Sequence, residues 1–140
     1  MGNNLTHGVI YDLSKKILSK QKKLEVLGNG EQCKPYSHVD ELINCMIFLK
    51  NKRKNELINF YNIGSSDKGV KVKKIVQLLI KKFNCNKKIL YQKQKFGWPG
   101  DIISYRYSNL KMKKEGYRFK LSSIQAIKKT ISSISIKNFK

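Results

Sequence analysis

The stretch GNGEQCKPYSHVDELINCMIFL, residues 28–49, changes period halfway along. It opens on Gly28 and Gly30 around Asn29 and passes a short run holding Lys34, Tyr36 and His38. It then settles into apolar residues at Val39, Leu42, Ile43, Met46 and Leu49. Steps of three and four place those apolar side chains on one face of a helix. Asn29-Gly30 accepts positive φ, which suits a two-residue hairpin turn. Leu24 to Leu27 before it and Gln32 to Ser37 after it are therefore expected to pair antiparallel. Turn, short strand and helix in that order predict an α/β unit with a polar cluster at the junction.

The same patterns extend outward. Residues 9 to 20 are expected to be helical, with Ile10, Leu13, Ile17 and Leu18 on one face. Leu57 to Ile63 reads as a buried strand closed by Gly64-Ser65-Ser66-Asp67. A helix follows with Val72, Ile75, Val76, Leu79 and Phe83 on its inner face. Lys88 to Tyr91 is expected to be a strand, Phe96 to Asp101 an irregular loop, Ile103 to Tyr107 extended, and Asn109 to Glu115 a short helix stopped by Gly116. Ser122 and Gln125 have the spacing of a capping box ahead of Ile124, Ile127, Ile131 and Ile134. The Ile and Leu stripes are expected to form the core, and residues 135–140 to fray.

A chain of 140 residues is one domain's worth and can bury a core. No apolar run approaches the roughly 18 residues of a membrane helix, and MGNNLTHG lacks the basic-then-apolar layout of a signal peptide. Asn4-Leu5-Thr6 fits a glycosylation sequon, without meaning unless the chain is exported. Cys33, Cys45 and Cys85 are too scattered for a metal site or a disulfide set, so the cytoplasm is the expected compartment. The formal charge of +21 raises the question of nucleic acid. Of the 30 basic residues 27 are Lys and only Arg53, Arg106 and Arg118 are Arg, whereas base readout leans on Arg forks. The lysines are also spread over every segment, which favours a solvated surface over a nucleic-acid footprint.

Five motifs in one order resemble a known family. They are Leu5 to Asp12, Gly28 to Glu41, Tyr61-Asn62-Ile63-Gly64-Ser65, Gly97-Trp98-Pro99-Gly100-Asp101, and Leu121 to Ile127. Together, from about residue 5 to 134, they look like the C-terminal half of the NAD-dependent epimerase/dehydratase family, the extended short-chain dehydrogenase/reductases that include UDP-glucose 4-epimerase. The resemblance implies a small α/β lobe over residues 1–134 that grips a nucleotide sugar. It also implies a separate Rossmann domain, holding NAD and the catalytic Tyr-x-x-x-Lys pair, which this sequence does not contain. By itself the chain is expected to bind no cofactor and to catalyse nothing. Tyr91-Gln92-Lys93-Gln94-Lys95 fits that dyad literally, but four-residue spacing aligns two side chains only on a helix, and its flanks read as strand and loop.

In relatives an Arg precedes the aromatic and His of the second motif and holds the diphosphate; Lys34 matches it and Tyr36 matches the aromatic. A Lys is a point charge without the bidentate fork, so weaker clamping is implied. Asp101 matches an acid that contacts a ribose hydroxyl, and it equally suits a turn after Pro99-Gly100. Phe96 stands where relatives carry a second Arg, with Lys95 as its substitute. Thr6, His7 and Val9 match the loop beside the nucleotide base, and Trp98 either lines that pocket or plugs the core. His38 reads as a residue that orients the helix start, and Asp40 or Glu41 as carboxylates suited to its first turn.

The implied partners are a nucleotide sugar, weakly held, and a separately encoded Rossmann-domain chain. The face left bare for such a chain is expected to be apolar and to promote self-association. Two further readings stay open on the residues alone, a truncated remnant without function and a polyanion-binding module.

Overall fold

The computed structural model describes residues 6–52 and 57–139. The beginning of the sequon and of the first motif lies outside the described residues, as do Arg53, Lys54 and Asn55 of the charged run after the second helix. The element order is α1 (Val9–Leu18), β1 (Lys23–Val26), β2 (Cys33–Lys34), α2 (Val39–Lys50), β3 (Val70–Lys71), α3 (Val72–Phe83), β4 (Lys88–Tyr91), α4 (Leu110–Lys114), α5 (Ser123–Ser133) and a closing 3-10 turn, Ile136–Phe139. None of these helices is long and apolar enough to cross a membrane.

Helix α3 organises the core. Ile75, Val76 and Leu79 recur every three to four residues and are wholly buried, where they meet Ile10, Leu13 and Ile17 of α1 and Ile127 and Ile131 of α5. Each such side chain contributes about 1.5–3 kcal/mol, against about 1 kcal/mol for a helix cap. Packing therefore sets the arrangement and capping trims it. The helix stops at Asn84, which takes a left-handed φ of 48° and returns its N–H to Ile80 O. The Lys87 ammonium closes the end of α1, donating to Lys16 O at 2.8 Å and Ser19 O at 2.7 Å.

Strand β1 alternates, with Leu24 and Val26 buried and Lys23 and Glu25 outward. It pairs with β4 in parallel, Lys23 opposite Lys88 and Val26 opposite Tyr91. This overturns the expected hairpin. Gly28 N–H donates to Gln92 Oε1 and Gly28 O accepts Gln92 N–H. Gly30 O and Gln32 O accept from Lys73 and Val72. The polar groups around the two glycines serve the distant β4 and α3, so the chain turns away from β1. β2 instead pairs antiparallel with β3, Cys33 opposite Lys71 and Lys34 opposite Val70. Gly69, at φ 78°, makes that possible: a Cβ there would collide with the Lys34 carbonyl.

Other departures concern apolar residues. Residues 57–63 form no strand; Leu57, Ile58 and Phe60 are exposed. Among the described residues no strand pairs with this segment, and Asn62 Nδ2 donates to Ser108 O at 3.0 Å. Helix α2 turns Ile43, Met46 and Ile47 to solvent and buries Glu41 and Cys45. Glu41 does more than suit the first turn, because its Oε1 accepts Lys120 N–H at 2.6 Å and Leu121 N–H at 3.1 Å and so anchors α2 to the approach of α5. The expected extended run 103–107 reduces to one parallel bridge, Ser104 with Cys33. Residues 136–139, read as a frayed tail, place the Phe139 ring 5.3 Å from Tyr11 and 6.5 Å from Phe83.

Candidate functional site

Where the N-terminal turns of α1 meet the ends of β1 and β2, a cavity of about 180 Å³ opens. Val9, Asp12, Leu13 and Lys16 face it from α1, the i, i+3, i+4 and i+7 positions of one helical stripe. Val26 and Leu27 close one wall from β1. Lys34 and Tyr36 enter from β2 and its continuation, and Trp98 and Asp101 come from the loop after β4. The walls are mostly apolar, with few polar groups, the usual make-up of a small-molecule site. Its volume is below the roughly 300–1,000 Å³ of a complete ligand pocket, so it has room for a ring and leaves the rest of a larger ligand to a facing surface.

The charges at its edge are paired. Lys34 Nζ lies 2.6 Å from Asp101 Oδ1, with the Asp101 side chain 2% exposed and that of Lys34 24%. The other carboxylate oxygen accepts Gly97 N–H at 2.9 Å, and Asp101 N–H donates to Trp98 O at 3.0 Å, closing residues 97–101 into a turn. The ammonium also sits 5.3 Å from the centre of the Trp98 ring. Burial works to raise the Asp101 pKa. The hydrogen bond from Lys34, then that from Gly97, overcome burial and hold it below the usual carboxylate value.

Tyr36 is pushed up to about 12, first by burial and then by the neighbouring Tyr105, Cys33 and Asp101. It stays protonated at neutral pH and is no general base. Its backbone N–H donates to Ser123 Oγ at 2.8 Å, which fixes the end of β2 against α5. Gln32 is 4% exposed and donates to Leu27 O at 3.2 Å, while its Oε1 has no hydrogen-bond partner among the described residues.

Of the residues singled out from the sequence, the fold brings Val9, Lys34, Tyr36 and Asp101 into one cavity, and Trp98 with them. Thr6 and His7 are exposed and bonded to each other at 3.2 Å, while the following Gly8 and Val9 line the cavity. Lys95 stands exposed in the loop and is not among the lining residues. Tyr91 lies in β4 and Lys95 beyond it, so their spacing aligns nothing. Reading from the sequence missed Gln32, Asp12 and Lys16. The last two were findable as the face of α1 that continues from Val9. His38 caps α2 as an acceptor, its Nδ1 taking Asp40 N–H at 3.3 Å. Burial lowers its pKa against the opposing pull of Asp40.

No protein-family model matches the chain, and no curated protein does. Solved structures do. A UDP-galactose 4-epimerase superposes on 94% of this chain and 41% of its own, with a TM-score of 0.79 and 27% identity. The UDP-glucose 4-epimerase of Thermotoga maritima, solved with UDP-glucose, matches 90% of this chain and 38% of its own at TM-score 0.69 and 24% identity. The UDP-glucuronic acid 4-epimerase of Bacillus cereus, solved with UDP-glucuronic acid and NAD, matches 89% and 40% at TM-score 0.67 and 19% identity. The chain thus spans about two fifths of the length of the enzymes it matches. By fold it corresponds to part of an extended short-chain dehydrogenase/reductase of the 4-epimerase kind, consistent with the C-terminal lobe.

Proposed function

We propose that this chain is the nucleotide-sugar-gripping lobe of an NAD-dependent epimerase/dehydratase, completed by a dinucleotide-binding α/β domain. The observation that carries the reading is the cavity itself. An apolar recess fit for a ring, with a cation, a carboxylate and an indole at its mouth, lies on a lobe shaped like part of the 4-epimerases. In this reading the base enters between α1 and Trp98, Asp101 meets a ribose hydroxyl, and Lys34 meets the diphosphate.

The described residues do not fit NAD. A dinucleotide cradle needs free backbone N–H groups at a glycine-rich turn leading into a helix. Here β1 leads through Gly28 and Gly30 into β2, and Gly28 N–H is taken by Gln92. We therefore assign no redox step to these residues; their part is to bind and orient a substrate. The exposed Ile43, Met46 and Ile47 of α2, with Leu57, Ile58 and Phe60, support a facing domain that would cover them.

Trp98 is the single tryptophan of the chain and lines the cavity, so its fluorescence reports on the site. UDP-glucose is expected to change that emission saturably. Glucose alone, which has neither base nor diphosphate, is expected to leave it unchanged. An emission indifferent to UDP-glucose at millimolar concentration sinks the reading.

A further inference from the structure

We propose that the recess between the 64–67 turn, α4 and the start of α5 is a second binding site, one that takes a dianionic phosphoryl group. It stands apart from the nucleotide-sugar reading, because it shares no lining residue with the first cavity.

The recess has a volume of about 380 Å³ and is lined by three cations, Lys113, Arg118 and Lys120. Among the described residues, the exposed side chains of Arg118 and Lys120 have neither an ion-pair nor a hydrogen-bond partner. Lys113 Nζ donates to Ser66 Oγ at 3.1 Å. That bond leaves the Ser66 hydroxyl proton and two ammonium protons of Lys113 free to donate. The carboxylate in the wall, Asp67, is already filled from inside the fold. Its Oδ1 takes the Ser123 hydroxyl at 2.6 Å and Gly69 N–H at 2.8 Å, and its Oδ2 takes Ser123 N–H at 2.7 Å. None of the three cations is therefore committed to it. Three positive charges against one negative leave two in excess, which matches a phosphoryl dianion. A guanidinium fork, two ammonium groups and a hydroxyl are the donors that charge-assisted phosphate binding uses.

The walls are also fixed from behind, unlike a lysine standing alone on the surface. Ser65 N–H donates to Ser37 Oγ at 2.8 Å and Asn109 Nδ2 to Gly64 O at 2.9 Å, which sets the turn against α4. The buried Glu41 carboxylate takes the N–H groups of Lys120 and Leu121 and so places the approach to α5. An arriving anion meets cations whose main chain is already positioned, which lowers the cost of ordering the site. The recess has more than twice the volume of the first cavity and carries Phe119 in its wall. It has space for the organic part of a phosphate monoester beside the phosphoryl group.

The test is a proton–nitrogen NMR titration of the full chain with inorganic phosphate and with phenyl phosphate, the ionic strength held constant with sodium chloride. The spectrum itself shows that each variant is folded. Saturable shifts at millimolar ligand are expected in the amides of 65–67 and 118–122 and in the Arg118 side-chain Nε–H. Arg118→Gln/Lys113→Gln is expected to weaken binding about tenfold or more, corresponding to about 1.4 kcal/mol. Lys20→Gln/Lys22→Gln removes the same charge from an exposed stretch elsewhere and is expected to leave binding unchanged. Tighter binding of phenyl phosphate assigns the site to phosphate monoesters, and equal or tighter binding of inorganic phosphate assigns it to the free anion; both uphold a phosphoryl site. Shifts that rise without saturating, that spread over the surface lysines, or that fall equally in the two double variants overturn the proposal and leave only diffuse attraction to the +21 surface. Shifts centred on Lys34 and Trp98 place the anion in the first cavity and overturn it as well.

Discussion

Asp67 grips Ser123 with both carboxylate oxygens, Oδ1 2.6 Å from the hydroxyl and Oδ2 2.7 Å from the backbone nitrogen. The same Oδ1 accepts Gly69 N–H at 2.8 Å, and Ser123 Oγ in turn accepts Tyr36 N–H. One carboxylate thereby ties the start of α5, the entry to β3 and the end of β2, on which Lys34 stands. Burial works to raise its pKa, and the bonds from Ser123 and Gly69 overcome this and lower it. Asp67→Asn keeps the shape and loses the charge-assisted acceptor, and is expected to cost about 1.5–3 kcal/mol in urea unfolding at pH 7. Asp67 and Asp101 both have folded pKa values below the unfolded one. Their stabilisation is full above about pH 4 and is lost as pH falls through the folded values. Asp67→Asn is expected to flatten that acid limb, and an unchanged pH profile contradicts the role.

His38 gives a second, separable pH effect. Burial depresses its pKa, so the folded state favours the neutral ring that caps α2. The folded value lies below the unfolded one, near 6.5. The stabilisation is therefore present above about pH 6.5 and declines as pH drops toward the folded value. His38→Ala is expected to lose about 1–2 kcal/mol at neutral pH by removing the cap. His38→Asn, which keeps an acceptor at the cap, is expected to lose less and to abolish the slope just below pH 6.5. Denaturant midpoints between pH 5 and 7.5 read both.

Gly69→Ala tests how β2 is positioned. The residue sits at φ 78° against the backbone of Lys34 and Pro35. The added methyl meets main chain, which cannot swing aside, and left-handed φ alone costs about 1–2 kcal/mol for a residue with a Cβ. A loss of at least that size is expected, together with a weaker response of Trp98 to UDP-glucose. Wild-type stability and binding in this variant contradict the placement of β2.

The outward face of α2 predicts association behaviour. Ile43, Met46 and Ile47 are each about half exposed. Changing all three to Lys or Glu leaves the core untouched, and each change is expected to shift stability by no more than about 0.5 kcal/mol. The monomer fraction in light scattering is expected to rise. A wild-type chain that is already monomeric at high concentration shows that this face does not drive self-association.

The sequence carried the local elements well because their signals are local. The stripe Ile75, Val76, Leu79 named α3, and Ser122 with Gln125 marked the start of α5, where the Ser122 N–H donates to Gln125 Oε1 at 2.8 Å. The partners of strands were not legible. Asn29-Gly30 has the chemistry of a hairpin turn, yet Gln92 and Lys73, more than 40 residues away, take the hydrogen bonds that decide the pairing. Apolar residues at 57–60 read as core because sequence pattern marks a face as apolar without saying what lies against it. Lys34 and Asp101 were each assigned to a ligand, and their mutual contact across 67 positions of chain was invisible until the fold brought them together.

The most direct test is a calorimetric titration of the chain with UDP-glucose at moderate salt, set beside the Lys34→Ala variant and inorganic pyrophosphate. The account predicts saturable binding that exceeds pyrophosphate and is lost in Lys34→Ala while the variant stays folded. Heats for UDP-glucose no larger than those for pyrophosphate, or unchanged by removing Lys34, contradict the nucleotide-sugar site.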